Sequence, residues 1–170
     1  NQKISKIKVV HIMRPSRNVY SIERVFTDIA DNISPEISIK KWTCSFPSKG
    51  FFNRFFGALS AINIKGDIFH ITGDTHYLIS FLPSSKTILT IHDCEFILRA
   101  RGLKKLLLWL FWLKIPLMKA GQITAISKKT KYEILSLVNI DHKRIRIIED
   151  PVSPIFSYLP LPKKKTYTKI

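Results

Sequence analysis

Six short runs of apolar, largely β-branched residues punctuate this chain, at positions 7–13, 37–42, 67–72, 87–91, 123–126 and 145–148. The first and fourth read IKVVHIM and TILTI. A strand with one wet face alternates apolar and polar residues, whereas near-continuous apolar runs mark strands buried on both faces. Helical patterns stand between them. Val19, Ile22, Val25, Phe26, Ile29 and Ile33 recur at i, i+3, i+4 spacing, with Glu23, Asp28 and Asp31 at the other positions. Further helical segments are expected over 51–64, 75–82, 99–119 and from 128 onward. Strand and helix in alternation predict an α/β domain with a doubly wound parallel sheet.

In such a sheet, ligands bind in the crevice beyond the carboxyl ends of the strands. That rule selects the loops at 14–18, 73–76, 92–95 and from 127. A dinucleotide would need a G-x-G-x-x-G turn after the first strand; Arg14-Pro15-Ser16-Arg17 stands there, and no cofactor is expected. His92 directly follows the fourth run, so its imidazole should emerge at the crevice, where it can orient a hydroxyl or shuttle a proton. Arg14, Arg17, Asp74, His76, Asp93 and Ser127 are the companions expected to hold a ligand. Each has a plainer role open to it. Asp93 can fasten its own loop, Asp74 can cap the helix that follows, and Ser127 can cap the helix opened by Lys128, Lys129, Thr130 and Lys131. Cys94 has no second base beside it and reads as a packing residue. The histidines have no i, i+4 pairing or fixed ligand set, so no metal site is expected.

Charge narrows the partner more than the fold. Lys and Arg total 28 against 12 Asp and Glu, a net charge of +16, which calls for an anionic partner. Nucleic acid is disfavoured, because the basic residues are scattered and no aromatic strand motif, recognition helix or zinc-finger spacing accompanies them. Two cysteines without C-x-x-C spacing encode neither a disulfide framework nor a zinc module, and fit a reducing, cytoplasmic setting.

The segment 99–119, RARGLKKLLLWLFWLKIPLMK, is apolar on two sides. Leu103, Leu106, Leu107, Leu110, Leu113 and Leu117 form one helical stripe, and Leu108, Phe111, Trp112 and Ile115 another. Lys114 and Pro116 interrupt a run already shorter than the roughly 20 residues needed to span a bilayer. One side is expected to pack on the sheet. The other is expected to lie at an anionic membrane surface through Lys104, Lys105, Trp109, Phe111, Trp112 and Lys114, each basic group contributing about 1 kcal/mol.

Taken in order, His92-Asp93 after TILTI, then ITAISKKTKYEI, then RIRIIEDPVSPIF, the chain resembles the amino-terminal domain of a family 4 glycosyltransferase of GT-B fold. Thr124 to Thr130 matches that family's T-A-I-S-x-x-T/A junction. Residues 144–153 match its K-I-x-V-I-x-N-P-V-D strand, with Asp150 in place of the usual asparagine and Ser153 in place of the aspartate. The first loop departs from the family's glycine-rich turn. The resemblance implies a Rossmann-like acceptor-side domain over 1–156. It also implies that 157–170 is a linker and the start of a carboxyl-terminal domain that binds the nucleotide-sugar. The implied activity is transfer of a sugar, usually with retention, to a lipid-linked or polysaccharide acceptor at the cytoplasmic face of a membrane. His92 is then the cleft histidine beside the transferring sugar. Without the donor-binding domain this length of chain is expected to be inactive. The alternative is a non-catalytic subunit that recruits a separately encoded catalytic domain to the membrane.

Overall fold

The computed structural model describes residues 6–14, 21–46 and 50–152. All six apolar runs are strands: β1 (Ile7–Met13), β2 (Ile37–Thr43), β3 (Ile68–Ile71), β4 (Thr87–Ile91), β5 (Gln122–Ala125) and β6 (Ile145–Ile147). They form one sheet in the order β2-β1-β3-β4-β5-β6, and every neighbouring pair is parallel. The helices are α1 (Ser21–Asp31), α2 (Phe51–Ser60), α3 (Glu95–Leu98), α4 (Gly102–Leu108), α5 (Ile115–Lys119) and α6 (Lys128–Leu137). The segment expected as a helix over 75–82 is a 3-10 helix, His76–Phe81. The chain is a Rossmann-like, doubly wound α/β domain.

The burial of the strands explains their composition. Ile12, Ile71, Leu89, Ile91, Ile123 and Ala125 are fully buried, as expected of strands covered on both faces. The edge strand β2 differs: its side chains are half-buried or exposed, and Lys40 and Lys41 stand in its middle. Lysines on an edge oppose pairing with a further strand.

Strand order reverses beside β1. The chain steps from β1 out to β2, then returns to place β3 on the other side of β1. A reversal of this kind leaves a crevice at the carboxyl ends of the two strands.

The 99–119 segment does not keep a single helical phase. Between α4 and α5 lies a π turn, Trp109–Lys114, whose wider winding inserts extra residue and rotates everything after it relative to what came before. The leucine stripe therefore splits. Leu113 and Leu117 are fully buried, while Leu103, Leu106 and Leu107 face solvent. Pro116 follows the turn and has no N–H to give the carbonyl of Trp112, four residues back.

Candidate functional site

A cleft of about 350 Å³ opens at the carboxyl ends of β1, β3 and β4. Its walls come from Arg14 after β1, Ile22 on α1, Arg54 on α2, Gly73, Asp74 and His76 after β3, His92 and Asp93 after β4, Phe96 on α3, and Leu108 and Trp112. The topology thus brings together five of the expected residues: Arg14, Asp74, His76, His92 and Asp93. Arg17 lies outside the described residues. Ser127 is not a wall of the cleft; it caps α6, its Oγ accepting from the Thr130 backbone N–H at 3.0 Å.

His92 is fastened on three sides. Its Nε2 lies 2.9 Å from the carbonyl of Thr72 and must donate to it. Its own carbonyl accepts the Thr130 hydroxyl at 2.9 Å. Nδ1 faces Asp150 Oδ2 at 3.6 Å, beyond hydrogen-bond length. A neutral ring with its proton on Nε2 turns a lone pair toward that carboxylate, so the gap lies between two acceptors. It is filled by a proton on Nδ1 or by a ligand's donor.

The loop around His92 is rigid for identifiable reasons. Asp93 Oδ1 accepts from the Glu95 N–H at 3.0 Å, the loop-holding role its position allowed. Glu133 on α6 accepts from the Cys94 N–H at 3.2 Å. Cys94 is fully buried, and burial, with Glu133 and Asp93 adding to it, pushes its thiol up to about 12. A thiol so placed carries almost no thiolate at neutral pH and is no nucleophile.

On the opposite wall, His76 Nδ1 donates to the Trp112 carbonyl at 2.7 Å, the group that Pro116 leaves open. Burial holds the His76 pKa below its ordinary value, so the ring is neutral and its Nε2 is an acceptor. The Trp112 indole N–H donates to the Asp74 carbonyl at 2.9 Å, and the Arg54 guanidinium lies 4.0 Å over the indole ring. Burial lowers the Arg54 pKa, while Tyr77 and Asp74 act in the other direction. Asp74 does not cap the 3-10 helix after it, which has no side-chain cap. Its exposed side chain is left at the cleft. Arg14 reaches Glu23 Oε1 at 2.8 Å.

Two more histidines stand behind this floor. His11 on β1 and His70 on β3 are register partners whose rings meet edge-on at 5.3 Å, and the Phe26 ring contacts both. His70 Nε2 bonds Thr90 Oγ1, which bonds Thr124 Oγ1, each at 2.7 Å. Burial, then Lys41, lowers His11 to about 4; burial, then His11 and His92, lowers His70 to about 3. Both rings are neutral at physiological pH.

The membrane-contact set divides. Trp112 is corrected: it is 9% exposed and faces the cleft, held by its indole N–H and by Arg54. Trp109 is half-buried, its N–H on the Leu137 carbonyl at 2.8 Å and the Lys114 ammonium 4.8 Å from its ring. Lys104, Lys105 and Phe111 are exposed. No helix among the described residues is long and apolar enough to cross a membrane. Also among the described residues, no group of three or more His, Cys, Asp or Glu side chains is placed to hold a metal ion.

Arg54, Phe96, Leu108 and Trp112 are cleft residues that sequence reasoning missed as such. Arg54 lies in a helical segment without a motif, and Trp112 carries an apolar pattern that fits either side of its helix. Set against known protein families and characterised proteins, the chain matches no family model and shows no significant similarity to any characterised protein.

Proposed function

We propose that this chain is the acceptor-side domain of a GT-B glycosyltransferase, working with a nucleotide-sugar bound by a carboxyl-terminal domain. The observation that carries the reading is the meeting of His92, at the end of β4, with Asp150, beyond β6, on the floor of the switch-point cleft. Both lie in the segments on which the family resemblance rests. The transfer joins an acceptor oxygen to the sugar's anomeric carbon as the bond to the nucleotide phosphate breaks, and the acceptor hydroxyl loses its proton. A sugar hydroxyl entering the gap between His92 Nδ1 and Asp150 finds two acceptors waiting. With Nε2 committed to Thr72, Nδ1 is the ring position at which His92 exchanges a hydrogen bond with a ligand.

The same reading places α4 at the cytoplasmic surface of a membrane. Its exposed Leu103, Leu106 and Leu107 stand among Arg99, Arg101, Lys104 and Lys105, the composition of an interfacial helix.

The test is turnover by the full-length protein across a panel of nucleotide-sugars, with His92→Ala beside the wild type. Loss of at least tenfold in kcat/KM, more than about 1.4 kcal/mol of transition-state stabilisation, is expected. Wild-type rates in the variant with every accepted donor would remove His92 from the site.

A further inference from the structure

The outward side of α2 carries Phe52, Phe55 and Phe56, which are 72%, 46% and 48% exposed. No part of the cleft uses them. Three large aromatic side chains on one short helix are a costly surface to leave in water, and a patch of this kind marks an interaction site. What lies next to α2 identifies the partner. The helix packs on the 3-10 helix His76–Phe81, which packs in turn on the π turn. Arg54 joins α2 to that turn directly by lying over Trp112. The cleft is therefore bordered by two helices that each expose apolar side chains: α2, through Arg54, and the α4 segment, through Leu108 and Trp112. The second of these also exposes Leu103, Leu107 and Phe111 at 71%, 47% and 48%, with Lys104 and Lys105 between them.

We infer that α2 is a second membrane-inserting element, and that it and α4 seat the cleft mouth against an anionic bilayer. The inference rests on the proposed membrane contact of α4 and narrows the acceptor to a lipid-linked one, delivered to the cleft from the bilayer surface. Charge selects lipid over a second copy of the chain. At +16, two copies repel each other, whereas an anionic surface attracts the lysines beside the apolar side chains.

Partitioning of the protein onto vesicles of phosphatidylcholine, with and without phosphatidylglycerol, tests this. Phe52→Ser/Phe55→Ser/Phe56→Ser and Leu103→Ser/Leu107→Ser/Phe111→Ser are compared with wild type. The substituted side chains are exposed, and circular dichroism confirms that each variant is folded. Each triple variant is expected to bind phosphatidylglycerol vesicles at least tenfold more weakly than wild type. In a complementary experiment, the fluorescence of Phe55→Trp is expected to be quenched by brominated lipid beyond the wild-type background. If the α2 variant binds like wild type while the α4 variant does not, the inference about α2 falls and the proposed contact through α4 stands. If wild type binds neither vesicle, both fall. If the α2 substitutions leave vesicle binding unchanged but abolish a dimer seen by sedimentation, the face belongs to a second copy and the inference is overturned.

Discussion

The Trp112 carbonyl accepts a hydrogen bond from His76 because Pro116 cannot supply one. His76 Nδ1 lies 2.7 Å from that oxygen, and the π turn of which Trp112 is part ends just before the proline's helix. A cleft histidine thereby completes the backbone of the helix that forms the opposite wall.

Removing His76 should expose this debt. His76→Ala leaves a buried carbonyl short of a donor and should cost about 1–3 kcal/mol in urea unfolding. In a Pro116→Ala background the restored N–H is available to Trp112, so the same substitution should cost less. Equal costs in the two backgrounds would separate the proline from the histidine.

Acid should loosen the sheet before it touches surface ion pairs. His11 and His70 are held near 4 and 3, below the ordinary 6.5. The unfolded chain therefore binds protons that the folded chain refuses. Their contribution is full above about pH 6.5 and is lost as the pH falls from there toward 4 and then 3. By pH 5, roughly 1 kcal/mol per histidine should be gone. Urea midpoints at pH 7 and pH 5 measure it, and His70→Asn should flatten the dependence.

Asp150 tests the gap beside His92 without threatening the fold. The pair is 3.6 Å apart and partly exposed, so Asp150→Asn should change stability by less than about 1 kcal/mol. If the gap takes an acceptor hydroxyl, the same change should lower kcat of the full-length protein tenfold or more. Wild-type turnover with unchanged stability would leave Asp150 outside the site.

Gly121, between α5 and β5, marks a place where two backbones touch. A Cβ there would sit 2.6 Å from the Ser84 carbonyl oxygen, so something must shift. Gly121→Ala should destabilise by about 1–3 kcal/mol, read as a lower thermal midpoint.

How much of this was legible depends on what each residue type announces. The strands were legible because both of their faces are buried, which leaves an unbroken apolar run with little to confuse it. β1 spans the residues expected, and the others shift by a residue or so at an end. His92 was legible for the same reason, since a polar residue ending such a run must emerge where the strand ends. The 99–119 segment was not. A helical period was carried through the π turn, and nothing in WLFWLK announces the change of winding, so Trp112 was assigned to the outside. Arg54 was hidden for a different reason. Its role depends on an indole 58 positions along the chain, and no local spacing encodes that meeting.

The cleft's walls come from short segments after β1, β3 and β4 and from α1, α2, α3 and the π turn, each anchored to the framework behind it. A chain built this way can change what it recognises piecemeal. The Asp74 side chain is exposed at the rim and owes no hydrogen bond to the 3-10 helix after it, so its substitution should redraw one contact and leave the others in place. His76 is the opposite case, since replacing it disturbs a helix as well as a ligand contact. Diversification of this scaffold, natural or in the laboratory, should therefore accumulate at the Asp74 rim and bypass the His76–Trp112 wall.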